Sequence, residues 1–112
     1  LQLGIDEAVR ITGSTIGYLH LMDADQETIL LPLWSEGTLR QCPEPDGVHR
    51  PVATAGVWAD TLRTQRPVIH NDFPRLIATG GTGSALPVCH IPLQRHMGVP
   101  VMEGRSVRLI LG

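Results

Sequence analysis

The stretch that decides the fold is Ala55–Asp72, AGVWADTLRTQRPVIHND, in which a short helix leads directly into a strand that ends in polar residues. Thr54 is placed to cap the helix, and Pro67 marks its end, because a proline disfavours helical geometry in the residue before it and fits the first position of a strand. Val68 and Ile69 then form the buried part of the strand. Polar side chains at the point where a buried strand leaves a sheet are usually turn formers or ligand contacts. We therefore predict that this stretch forms one wall of a pocket.

Length and composition predict a single soluble domain. The chain has 112 residues, of which 42% are hydrophobic, and its formal net charge is -2. All nine basic residues are arginines, so a lysine Schiff base is excluded, and the balanced charge lacks the basic surface that nucleic-acid binders need. No apolar run is long enough for a membrane span, and the N-terminus lacks the pattern of a signal peptide. We expect a cytoplasmic protein that binds neither nucleic acid nor membrane.

The regions before Ala55 predict a helix and a β-hairpin. Apolar residues at helical spacing predict an amphipathic helix over 1–12 that ends at Gly13. This helix has no cap at its start, which suggests that the domain was excised from a longer protein. Strands over 15–22 and 28–35 enclose a polar turn, and Pro32 in the second strand requires either a sheet edge or a bulge. Residues 36–51 read as a loop with at most one helical turn.

The regions after Asp72 predict a long loop and a second hairpin. Residues 73–95 lack a regular pattern and contain a glycine-rich core, and long loops of this kind often close over ligands. Strands over 98–102 and 106–111 flank a Glu-Gly-Arg turn. Hairpins near both ends, with helices before and between them, predict an α+β fold with a central antiparallel sheet. We expect one domain over residues 1–112.

Four stretches in this order resemble the GAF domain, and in particular the bacterial GAF subset that serves as a sensory module. They are Trp34–Thr38, Ala55–Ala59, Pro67–Asp72, and His90–Arg95 leading to Val99–Val101. The resemblance implies a GAF-like antiparallel sheet of about five or six strands, flanked by helices, with a small-molecule pocket between the sheet and its loops. It also implies a non-catalytic sensor that forms a homodimer and relays its signal to an attached output domain, such as a histidine kinase or a diguanylate cyclase.

The candidate ligand-binding residues come from three parts of the chain. Two tryptophans could wall the pocket, although large aromatic residues on a strand and a helix also serve as core. The polar triplet after the central strand could bind a ligand or only cap a turn. An arginine before the last hairpin could bind a carboxylate or phosphate, or form a structural ion pair. The candidates are Trp34, Trp58, His70, Asn71, Asp72, His90 and Arg95.

The cysteines and histidines leave three further interpretations open, whereas the main hypothesis requires no resident metal or cofactor. Cys89, His90 and His96 lie close in sequence, but no second ligand pair completes a zinc site. Cys89-His90 is also similar to the bilin-attachment stretch of phytochrome-type GAF domains. Some GAF domains reduce free methionine sulfoxide with cysteines, which here would be Cys42 and Cys89. The two thiols otherwise read as free and unspecialised, or as one disulfide.

Overall fold

The computed structural model describes residues 1–41, 52, 55–80 and 92–112, and these residues form a five-stranded antiparallel sheet with helices around it. The strand order is β2-β1-β5-β4-β3. The strands are β1 (Tyr18–Met22), β2 (Ile29–Trp34), β3 (Val68–His70), β4 (His96–Glu103) and β5 (Ser106–Leu111). The helices are α1 (Gln2–Thr12), α2 (Glu36–Gln41), α3 (Asp60–Thr64) and α4 (Phe73–Ala78), with a 3₁₀ turn at Val57–Ala59 directly before α3. The predicted α+β fold with an antiparallel sheet is confirmed.

Two hairpins build most of the sheet, as the sequence predicted. β1 pairs with β2 and β4 pairs with β5, and the pairing of β1 with β5 joins the hairpins at the centre. Gly104 has a φ of 61° in the second turn, which glycine adopts without a steric cost. β2 lies at the edge of the sheet, so Pro32 is tolerated because the sheet does not continue beyond this strand. Of the two explanations for Pro32, the structure therefore favours the sheet edge.

The central stretch folds as a helix followed by a strand, but its helix is shorter than expected. The helical region starts as the 3₁₀ turn, continues as α3 and ends at Gln65, which has a left-handed φ of 53°. Pro67 follows, and β3 then pairs with β4 so that His70 lies opposite His96. The predicted cap at Thr54 lies outside the described residues. The helix-to-strand order of the stretch is confirmed, but the expectation that Val68 and Ile69 are buried is wrong for Ile69, which is 61% exposed because it points to the face of β3 opposite to His70 and Val68.

The expectation that residues 73–95 are irregular is wrong for their first part. α4 spans Phe73–Ala78, and the side chain of Asp72 accepts a hydrogen bond from the backbone N–H of Arg75 at 3.1 Å. An aspartate before a proline-containing first turn is a helix-start signal, and Pro74 occupies that turn. β4 also begins at His96, two residues before its predicted start.

The main hydrophobic core lies between the sheet and α3. It contains Met22 and Ile29 from the first hairpin, Leu62 from α3, and Val107 and Ile110 from β5. α1 contributes the fully buried Ile5, and it is tied to the end of β2 by a hydrogen bond from the Gln2 side chain to the backbone oxygen of Trp34. Within the described residues, no helix has the length and apolar character needed to cross a membrane.

Candidate functional site

One face of the sheet carries a group of rings that we call the aromatic–histidine cluster. Its members are Tyr18, His20, Trp34, Trp58, His70, Phe73 and His96. Strand geometry explains the grouping, because side chains two residues apart point to the same face and directly paired residues on neighbouring strands lie side by side. Tyr18 and His20 alternate along β1, Trp34 pairs with Tyr18, and His96 pairs with His70. The cluster therefore extends across the strands of both sheet edges.

His20 lies at the centre of one half of the cluster. The rings of Trp34 and Trp58 stand edge-on to it, with interplanar angles of 85° and 86° and centroid distances of 5.8 and 5.0 Å. The ring of Tyr18 is 4.7 Å from His20. Edge-to-face geometry places the positive edge of one ring against the negative face of another. This half of the cluster is thus a packed set of aromatic faces around a buried imidazole.

Tyr18 and His96 form a buried hydrogen-bonded pair. The hydroxyl of Tyr18 lies 2.9 Å from Nε2 of His96. Burial raises the pKa of Tyr18 far above its ordinary value, so the phenol keeps its proton. Burial, and next the neighbouring His70, lower the pKa of His96 to about 4, while Asp60 acts in the opposite direction. A neutral imidazole whose Nε2 accepts from a phenol must carry its proton on Nδ1, and we assign this tautomer.

Three buried polar atoms in this region have no hydrogen-bond partner in the part of the chain that the structure describes. They are Thr61 Oγ1, His70 Nε2 and His96 Nδ1. A buried polar group without a partner costs on the order of 1–3 kcal/mol, and buried polar groups in proteins are generally satisfied by protein, water or ligand. Thr61 and His96 both lie next to Gly98. A Cβ atom added to Gly98 would collide with Thr61 Oγ1 and would lie 3.7 Å from Cε1 of His96. These three atoms, between α3 and the sheet, could therefore form further hydrogen bonds.

Asp60 is the acidic group closest to these atoms, and it is already paired. Its Oδ1 accepts a hydrogen bond of 2.6 Å from Arg63, and its Oδ2 lies 4.0 Å from Nε2 of His70. Arg63 also donates to the backbone oxygens of Val52 and Ala55 at 2.8 Å. The arginine therefore fixes the start of the helical region and compensates the carboxylate at the same time. Among the described residues, no group of three His, Cys, Asp or Glu side chains is arranged to hold a metal ion.

Comparison with known proteins identifies the family. The sequence model of the GAF domain family matches residues 1–112. The chain belongs to the GAF domain family. A curated relative, the methyl sulfide methyltransferase-associated sensor of Methanosarcina acetivorans, is 35% identical over 108 residues, which are 96% of this chain and 10% of the relative. This GAF domain thus spans about a tenth of the length of that relative.

A solved structure supports the same fold. The GAF domain of an Acinetobacter phosphoenolpyruvate-protein phosphotransferase matches 99% of this chain and 61% of its own with a TM-score of 0.71. Its sequence identity to this GAF domain is 18%, so the likeness concerns the fold alone. Together with the observed sheet order, it confirms the GAF-like α+β architecture expected from the sequence.

Three of the predicted ligand-binding residues lie in the aromatic–histidine cluster of this GAF domain. Trp34 and Trp58 are half-buried and contact His20, and His70 stacks on His96 with a centroid distance of 5.6 Å and an interplanar angle of 22°. Trp58 also packs against the hydrophobic core. Trp58 therefore has the core role that the sequence offered as one of two alternatives.

The other predicted residues are placed differently. Asn71 and Asp72 are exposed, and Asp72 caps α4. Arg95 is exposed as well, so it does not join the cluster. His90 lies outside the described residues, as do Cys42 and Cys89. The exposed Asn71, Asp72 and Arg95 therefore do not join Trp34, Trp58 and His70 in the cluster.

Sequence reasoning missed five residues of the candidate site: Tyr18, His20, Thr61, Phe73 and His96. The alternation of Tyr18 and His20 in an otherwise aliphatic strand was a usable signal, since a histidine among leucines needs a polar neighbour or a function. His96 was considered only together with Cys89 and His90, because β4 was expected to begin at Gly98. Thr61 gave no signal in sequence, because threonine on a short helix is common.

Proposed function

We propose that this GAF domain is a non-catalytic sensory module that binds a small molecule over the aromatic–histidine cluster. Binding is relayed to an attached output domain, such as a histidine kinase or a diguanylate cyclase, and the working unit is a homodimer. The word "sensor" in the name of the Methanosarcina relative supports a sensory role. The family supports a pocket on this domain, and the relative's much greater length is consistent with attached domains.

The observation that carries the proposal is the set of unsatisfied buried atoms beside aromatic faces. Thr61 is fully buried and His96 is 9% exposed, yet each has a polar atom without a partner among the described residues. A packed structural core would fill such positions with apolar side chains, because unsatisfied polar groups lower stability. Ligand sites combine apolar and aromatic walls with a few convergent polar groups. The cluster has that composition.

Native mass spectrometry of the purified protein is the direct test. We expect a non-covalent adduct of small mass that is lost on denaturation, and we expect the recovered compound to raise the melting temperature when it is added back, because it binds only the folded state. The His96→Phe variant should lose this rise. Met97→Gln is the matched control, since Met97 is the next residue on β4 and its exposed side chain points away from the cluster.

Three results would contradict the proposal. A covalent adduct on Cys89 with a visible absorption band would favour a bilin-binding photoreceptor. Thiol-dependent reduction of free methionine sulfoxide, lost in Cys42→Ser or Cys89→Ser, would make the domain an enzyme. Absence of any adduct, together with no stabilisation across a metabolite screen, would reduce the cluster to a structural feature.

A further inference from the structure

The charges around the unsatisfied atoms restrict which molecules can bind, and this inference rests on the proposed function. His96 is neutral, Tyr18 keeps its proton, and Asp60 is compensated by Arg63 at 2.6 Å. Arg95, which could have met an anion, is exposed. Tyr18, His96 and Asp60 therefore offer no uncompensated charge to a ligand. A charged ligand would lose its hydration here without a counter-charge, which costs several kcal/mol.

The hydrogen-bonding roles of His96 and Thr61 also restrict which groups a ligand can present to them. In the tautomer assigned above, Nε2 of His96 accepts from Tyr18 at 2.9 Å, so Nδ1 of His96 is a donor, and it has no acceptor among the described residues. The hydroxyl of Thr61 flanks the same glycine as His96, and a hydroxyl can accept as well as donate. A group that accepts at one atom and donates at the next would satisfy both residues. A primary carboxamide has this pattern.

The ring orientations favour a flat molecule. Tyr18 and His96 are nearly parallel, with an interplanar angle of 8°, and His70 is within 22° of the plane of His96. Three similarly oriented rings therefore extend along the site. A flat ring stacks on such faces with a gain of about 0.5–1.5 kcal/mol beyond its area burial.

We infer that this site takes an uncharged, flat-ring ligand with a carboxamide-like group, whose carbonyl accepts from Nδ1 of His96 and whose N–H donates to Thr61. Such a ligand explains why Thr61 and His96 have polar atoms that are unpaired among the described residues in a buried, aromatic part of the domain. It also assigns Thr61 and His96 as the residues that determine specificity.

A series of three probes that differ in charge but have nearly the same shape tests the inference. Benzamide is neutral, benzoate is anionic and benzamidinium is cationic, and each can be titrated into the intact domain by calorimetry and thermal shift. We expect benzamide to bind at least about tenfold more tightly than either charged probe, which corresponds to about 1.4 kcal/mol. In ¹⁵N spectra of labelled histidine, benzamide should shift the Nδ1 resonance of His96.

Variants separate the two contacts from the fold. Thr61→Val keeps the shape of the side chain and should weaken benzamide binding about tenfold or more, whereas Met97→Gln should leave it unchanged. Equal or tighter binding of benzoate or benzamidinium would overturn the charge inference while leaving small-molecule binding at the cluster intact. If no probe binds, the carboxamide class is wrong, and the native mass spectrum decides the proposed function separately.

Discussion

At the scale of single residues, two buried threonines make a direct test of hydrogen-bond satisfaction. Thr38 Oγ1 accepts from the N–H of Gly17 and donates to its oxygen, both at 3.1 Å, whereas Thr61 Oγ1 has no partner among the described residues. We expect Thr38→Val to lower the free energy of unfolding by about 1–3 kcal/mol and Thr61→Val to leave it unchanged or raise it. Urea unfolding of the two variants measures the contrast. An equal loss in both would mean that water already satisfies Thr61.

His96 makes the stability of the domain depend on pH. In the unfolded chain a histidine titrates near its ordinary pKa of about 6.5, whereas the pKa of folded His96 is about 4. Between these values the unfolded state binds more protons, so stability should fall as the pH drops from about 6.5 to about 4 and should lose nothing further from this group below that range. The loss is on the order of 2–3 kcal/mol.

The contribution of His96 can be isolated by comparison with His96→Gln, which keeps an acceptor for Tyr18 but does not titrate. The other titrating groups are common to both proteins, so the difference between their stability curves reports His96 together with its electrostatic coupling to His70. An NMR titration of the ring should give a midpoint near 4. A midpoint near 6.5 would show that the ring is hydrated and would remove the tautomer assignment.

At the scale of elements, the contact between α3 and β4 depends on a glycine. A side chain at Gly98 would collide with Thr61 Oγ1 but would lie 3.4 Å from Thr61 Cβ, an ordinary contact. Gly98→Ala should therefore destabilise the domain by about 1–3 kcal/mol through overpacking. Adding Thr61→Ala should restore part of this loss, because it removes the colliding oxygen. Additive losses in the double variant would mean that another contact limits the approach of α3.

Local sequence signals were sufficient for most elements of the sheet. Alternating and β-branched residues with turn formers between them predicted both hairpins, and Pro67 predicted the change from helix to strand. The signals failed where tertiary contacts decide. The side chain of Gln26, for example, donates to the oxygen of Val107 at 3.0 Å and accepts from its N–H at 2.7 Å. Gln26 pairs with the backbone of β5 as a neighbouring strand would, and the two residues are 81 positions apart. A local sequence pattern cannot predict such a contact.

The site was predictable only in part, for a related reason. His70 and the tryptophans follow from the strand end and from aromatic character, but their partners depend on register. His96 joins His70 because β3 pairs with β4 in one particular register, and a shift by one residue would turn His96 to the opposite face. Arg95 was selected for its chemistry alone, and its exposed position depends on the path of the loop into β4.

At the scale of the whole molecule, the two faces of the sheet differ in chemistry. The cluster face carries the rings together with Met22 and Ile110 of the hydrophobic core, whereas the opposite face is aliphatic and includes the exposed side chains of Ile69, Met97 and Val101. α1 packs against the domain through Ile5, and Val9 approaches Gly17. The apolar stripe of α1 is thus partly used within the domain, and the exposed apolar residues of the helix are Leu3 and Ile11, at 83% and 69% exposure.

Substitutions of the exposed Leu3 and Ile11 test the homodimer prediction better than a substitution of the buried Ile5, because replacing Ile5 would damage the fold. We expect the domain to dimerise with increasing concentration in sedimentation velocity, because exposed apolar side chains on a helix are buried in symmetric interfaces. Leu3→Asp combined with Ile11→Asp should shift the equilibrium to monomer without changing the melting temperature of the monomer. Ala78→Asp, at an exposed position on α4, controls for the addition of acidic charge to a helix. If the double variant dimerises as the parent does, α1 is not the interface, and the aliphatic face around Met97 is the next surface to substitute.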